Sequence, residues 1–107
     1  MTPIMQRDLY ANPNARSRSA FPVVVVLQAD TTKGDTRLIA PLAPHVRPLA
    51  RTASRALALI DHDQKHYAVT LSLISSLPRR QLRDAVGSLA AHRDDITRAL
   101  DWLFFGI

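Results

Sequence analysis

Residues 21–42, FPVVVVLQADTTKGDTRLIAPL, decide the fold class. Phe21 to Gln28 is β-branched and nearly all apolar, which suits a strand buried on both faces. Asp30-Thr31-Thr32-Lys33-Gly34-Asp35 reads as a hairpin loop. Thr36 to Leu42 is a second strand, stopped by Pro41 and Pro44. A strand, a polar loop and a returning strand place the chain among antiparallel β proteins.

Working outward, residues 43–55 carry Pro44 and Pro48 without a clear period, and a loop with one short helical turn is expected there. Ala56 to Ile60 and Lys65 to Leu73 flank Asp61-His62-Asp63-Gln64 as a second hairpin. In Lys65 to Leu73 the alternation is clean: Tyr67, Val69, Leu71 and Leu73 share one face, His66, Ala68, Thr70 and Ser72 the other. That hairpin should bury one side. On the N-terminal side, the first twenty residues are polar, with Asn12-Pro13-Asn14 as a turn and Arg16-Ser17-Arg18-Ser19 as a loop. Toward the C-terminus, Leu82, Val86 and Leu89 recur at helical spacing, and Pro78 and Gly87 limit that helix to a short one.

The last segment is the clearest element. Ile96, Ala99, Leu100, Leu103 and Phe104 recur at i, i+3, i+4, i+7 and i+8, the stripe of a helix facing a core. Asp94 and Asp95 fall in its first turn, where the helix dipole favours negative charge. Asp94 and Arg98 stand in the favourable i, i+4 order. The expected architecture is mainly β with a C-terminal α-helix.

Composition bounds the function. The chain of 107 residues suits one domain over 1–107, with residues 1–4 read as an extension before an alternative start at Met5. With no cysteine there is no disulfide framework, thiolate metal site or cysteine nucleophile. The longest apolar run, Phe21 to Leu27, is far short of the ~20 residues that span a bilayer, so no membrane role is expected and the cytoplasm is the expected location. Of 14 basic and 9 acidic residues, residues 1–60 hold eight and three, and residues 61–107 hold six of each. The net charge of +5 suits an acidic partner. Lysine runs and interleaved aromatics are missing, so sequence-specific nucleic-acid binding is not expected.

Catalytic signatures are sparse. His62 and His66 would share a helix face, but here they bracket a turn and read as loop residues, not metal ligands. His45 and His92 lack a patterned carboxylate or serine partner and read as exposed bystanders. No cofactor is expected, because three glycines form no phosphate loop. The chain end is different. Trp102, Phe104 and Phe105 are three of only six aromatic residues. Measured from Ile96, Phe104 lies on the core stripe, Trp102 at about 240° and Phe105 at about 180°. Large aromatics off the core face usually mark a contact with another molecule.

These segments together resemble the CcdB toxins of bacterial toxin–antitoxin systems. Leu89 to Ile107, LAAHRDDITRALDWLFFGI, is similar to that family's terminal helix and its Gly-Ile ending. Thr36 to Leu42 resembles its strand ending in Pro-Leu, Gln28-Ala29-Asp30 its Gln-Ser-Asp step, and Leu77 to Leu89 its approach to the helix. Met5-Gln6-Arg7-Asp8-Leu9-Tyr10 resembles its first residues. The likeness runs in order through 5–107.

The resemblance implies an SH3-like antiparallel β-barrel of the CcdB/MazF type, assembled as a homodimer. It implies a non-enzymatic toxin that binds the A subunit of DNA gyrase and traps the cleaved gyrase–DNA complex. It also implies a CcdA-like antitoxin whose disordered arm removes the toxin from gyrase. The family's gyrase contact maps onto Phe104, Phe105, Gly106 and Ile107, with Asp101 and Trp102 beside it. Phe105 replaces the family's tryptophan, keeping a ring but losing the indole donor. Asp101 puts a charge where the family has an amide. Thr31 and Thr32 replace two isoleucines, and gyrase binding does not carry over to them. Two alternatives remain: a divergent homologue that keeps dimer and antitoxin but spares gyrase, and a MazF/Kid-like endoribonuclease using Arg37 or Arg47 with an aspartate.

Overall fold

A computed structural model describes residues 3–29, 34–44 and 56–106. Their framework is one curled antiparallel sheet of seven strands, with a single C-terminal helix against it. The strands are β1 (Asp8–Ala11), β2 (Val23–Val26), β3 (Thr36–Pro44), β4 (Leu57–His62), β5 (Lys65–Thr70), β6 (Ser75–Pro78) and β7 (Gly87–Ser88). The helix, α1, is Arg93–Phe105. Along the sheet the order is β4-β5-β3-β2-β1-β7, and β6 pairs with β3. Mainly β with a terminal helix is therefore the fold, and it agrees with the expected architecture.

The valines of β2 explain the two-sided burial. Val25 belongs to one apolar cluster with Leu9, Ala40, Leu42, Val69 and Leu71, beneath α1. Val24 and Val26 point the other way, into a second cluster with Tyr10, Ile39 and Leu82. Successive side chains of a strand alternate faces, so a run of buried valines requires cover on both. In the second cluster, burial pushes the Tyr10 phenol above its ordinary value, and the nearby Asp8 carboxylate adds to the shift.

β1 corrects the reading of a polar N-terminus. Only Leu9 and Tyr10 carry it, one for each cluster, and a two-residue apolar signal is too short to show a period. The turn after it is as expected. Asn12 is buried, and its amide donates to the Phe21 carbonyl at 2.8 Å and to Ser17 Oγ at 2.9 Å, while its Oδ1 accepts from Asn14 N.

β3 does not stop at Pro41. It pairs with β6 through Ile39 and with β5 from Leu42, so Pro41 falls at the change of partner, where no ladder is interrupted on that edge. Residues 30–33 of the first hairpin loop lie outside the described residues, as do residues 45–55, where a loop with one short helical turn is expected. Between β4 and β5 the turn is two residues long, and Asp63 and Gln64 both have positive φ, 52° and 65°.

β5 is shorter than its alternation suggested. It ends at Thr70, and Leu71–Leu73 forms a 3-10 turn that carries the chain onto β6. Leu71 stays buried, while Leu73 swings out to 49% exposure. Ala68, on the expected outer face, is buried as well. No helix spans Leu82 to Leu89 either. Leu82 belongs to the second cluster and Leu89 to the first, while Val86 is exposed, so no single helix face serves all three.

Candidate target-binding site

The C-terminal helix carries the candidate residues, and its N-terminal half fixes its position. Ile96 and Ala99 are buried in the first cluster, and Leu100 packs against its rim. Asp94 and Asp95 occupy the first turn as expected. Arg98 meets Asp95 at 3.5 Å, one helical turn back, and not the Asp94 that its i, i+4 spacing suggested.

Beyond Leu100 the helix outruns the core. Leu103 is 37% exposed and Phe104 65%, which corrects the placement of both on a core stripe. The stripe continues in sequence, but buried partners for it end one turn earlier. Phe105 is 73% exposed, as its position off the stripe implied. Gly106 ends the helix in the left-handed conformation, φ 72°, with its N–H donating to the Trp102 carbonyl at 3.0 Å. Ile107 lies outside the described residues. Asp101 is exposed.

Trp102 is not on an open far face. It is half-buried and closes one end of a groove of about 430 Å³ between α1 and β4. Leu57, Ala58 and Leu59 form the strand wall, and Asp95, Arg98 and Ala99 the helix wall. The helical period placed Trp102 correctly by angle but could not say that β4 would stand beside it. The only sequence signal for this groove was Leu59, a large apolar residue opposite the buried face of β4.

The histidines also differ from expectation. His92 is no bystander: its Nε2 donates to the Asp61 carbonyl at 3.0 Å, and its Nδ1 is 3.7 Å from Asp95 Oδ2. Across the hairpin, His66 Nδ1 contacts Asp61 Oδ1. His62 lies over Gly87, so that a Cβ there would meet its Nε2 at 2.6 Å. Because β4 and β7 are opposite ends of the sheet order, these contacts mark where the curled sheet nearly closes on itself. Among the described residues no three His, Asp, Glu or Cys side chains form a group that could hold a metal ion. His45 lies outside them.

Of the two arginines considered for phosphate chemistry, Arg37 is buried. Its Nη1 donates to the carbonyls of Gly34 and Thr36, each at 2.8 Å. Among the described residues its hydrogen-bond partners are these two carbonyls, and neither is a general acid or base. Arg47, Thr31 and Thr32 lie outside the described residues. No helix among the described residues is long and apolar enough to cross a membrane.

A family model described as "CcdB protein" matches residues 6–106. No curated protein matches the chain. Among solved structures, one described as "Crystal structure of Mtb toxin" is similar over 96% of this chain and 100% of that one. Its TM-score is 0.55 and its identity 16%, a likeness of fold.

Proposed function

Since the chain belongs to the CcdB family, we propose that it is the toxin of a type II toxin–antitoxin module and acts by binding the A subunit of DNA gyrase. The observation that carries this reading is the solvent-facing end of α1. Phe104 and Phe105 are the most exposed of the large apolar residues among those described, on a helix whose other half is locked into the core. Rigid aromatics held clear of the fold bring contact area to a partner at low entropic cost. Phe104, Phe105, Gly106 and Ile107 are the proposed contact, with Asp101 and Trp102 at its margin.

The mechanism is differential binding. A ligand shifts an equilibrium only by its difference in affinity for the two states. A toxin that prefers the cleaved gyrase–DNA state holds the enzyme there, and no bond is made or broken by the toxin itself. On this reading the protein is a cytoplasmic homodimer that needs no cofactor, and a CcdA-like antitoxin reverses its action. Arg37, spent on backbone carbonyls, gives no support to an endoribonuclease.

Binding of the purified protein to the breakage–reunion domain of gyrase tests the proposal. Saturable binding is expected, strengthened by Phe105→Trp, which restores the indole donor and adds area. Absence of binding by both proteins would leave the divergent homologue, with dimer and antitoxin but no gyrase, as the better reading.

A further inference from the structure

The groove between α1 and β4 enters that reading only through Trp102, and its two walls differ in chemistry. Asp95, Arg98, Ala99 and Trp102 stand at i, i+3, i+4 and i+7, so one face of the helix supplies them all. Ala99, buried in the first cluster, is the smallest of them, and the helix wall is recessed between Arg98 and Trp102. Across from it, Leu57 and Leu59 alternate with the buried Ala58 and Ile60, on the side of β4 that faces away from the core. β4 ends the order of the described strands, and the outer face of an end strand commonly carries charge. Here it carries two leucines, and Leu59 is exposed.

The charges of the groove are unevenly committed. Asp95 meets Arg98 at 3.5 Å on one side and His92 Nδ1 at 3.7 Å on the other. Arg98 makes its contact with Asp95 through Nη1, and its side chain is 74% exposed against 44% for Asp95. A guanidinium carries five N–H donors in a planar fork, so Arg98 keeps capacity for a second anion. A bound cation would have to displace Arg98 from Asp95. The net charge of +5 also favours an anion.

Leu57 to Leu59 spans about 7 Å of strand, and Asp95 to Trp102 about 10 Å of helix. That footprint is too short for a docked strand or helix. It suits a small molecule, as does the volume of about 430 Å³. We infer that the groove is a binding site for a small aromatic carboxylate, its ring between Trp102 and the two leucines and its carboxylate on Arg98. The ring gains apolar and aromatic contact, and the fork pairs the carboxylate. The site omits Phe104 and Phe105 and is measured without gyrase, so it goes beyond the gyrase reading and fails independently of it.

Trp102 is the sole tryptophan of the chain, so its indole N–H gives one NMR signal that reports on the groove directly. The test titrates the full-length protein with para-fluorophenylacetate, followed by fluorine NMR and by that indole signal. Saturable binding is expected with a dissociation constant below about 5 mM, the indole signal shifting in step. The uncharged para-fluorophenylacetamide should bind about fivefold more weakly, and Arg98→Gln should weaken the acid by a similar factor but not the amide. Leu59→Asp should weaken both, and circular dichroism should show each variant folded. The comparison of acid with amide needs no variant and decides by itself if one misfolds. No saturable binding up to about 5 mM would overturn the inference. Equal binding of acid and amide, unchanged affinity in Arg98→Gln, or an indole signal that stays still would do the same. Tighter binding of para-fluorobenzylamine would assign the polar wall to Asp95 and also overturn it.

Discussion

The two halves of α1, Arg93–Ala99 and Leu100–Phe105, are put to opposite use. Ile96 and Ala99 are 3% and 4% exposed, while Phe104 and Phe105, two turns further on, are 65% and 73% exposed. Burying a phenylalanine is worth about 1.5–3 kcal/mol, so the last turn forgoes a stabilisation that the first turns collect. An amphipathic period states which way a residue faces around the axis. It does not state whether anything is there to receive it. The sheet supports the helix to Leu100, and the residues beyond are available to another molecule.

Substitutions along the helix should separate the two halves. Ile96→Ala removes a residue buried in the first cluster and is expected to cost about 2–5 kcal/mol in chemical denaturation. A cost below about 1 kcal/mol would mean that the helix is not anchored there. Gly87→Ala drives a methyl into the His62 ring and should cost about 1–2 kcal/mol, less in a His62→Ala background. Equal costs in both backgrounds would deny the approach of β4 to β7. Gly106→Ala places a side chain at φ 72° and should cost about 1 kcal/mol. Phe105→Ala should change stability by no more than about 0.5 kcal/mol, and a larger loss would mean that the ring packs on its own fold.

The second cluster offers a check by pH. The folded protein holds the Tyr10 phenol above its ordinary value of 10.0, so its contribution to stability is complete below that value. It is lost as pH rises through the raised folded value, because the unfolded chain ionises first. Tyr10→Phe should flatten this alkaline decline, and an unchanged slope would assign it to other groups.

The sequence was most legible where a pattern repeated. Four valines announced two-sided burial, the alternation read over Lys65 to Leu73 a strand that holds as far as Thr70, and the Ile96 stripe a helix. It misled where one residue's fate depended on a distant partner. Pro41 is tolerated because β3 changes neighbours there. Leu82 and Leu89 mimic a helix while serving opposite faces of the sheet. Leu103 and Phe104 continue a periodic stripe past the end of its support. The candidate site was legible in its residues, through the aromatic cluster and the Gly-Ile ending. Its surroundings were not: the groove between Trp102 and Leu59 joins residues more than forty positions apart, and no local spacing encodes it.

The central claim is that the end of α1 serves a target and not the fold. A chain truncated after Phe104 tests it most directly, with thermal unfolding and gyrase-dependent plasmid cleavage measured on one preparation. Full-length protein should accumulate linear DNA, while the truncated protein should unfold within a few degrees of it and trap none. Linear DNA trapped equally by the truncated protein, or a collapse of its stability, would contradict the account.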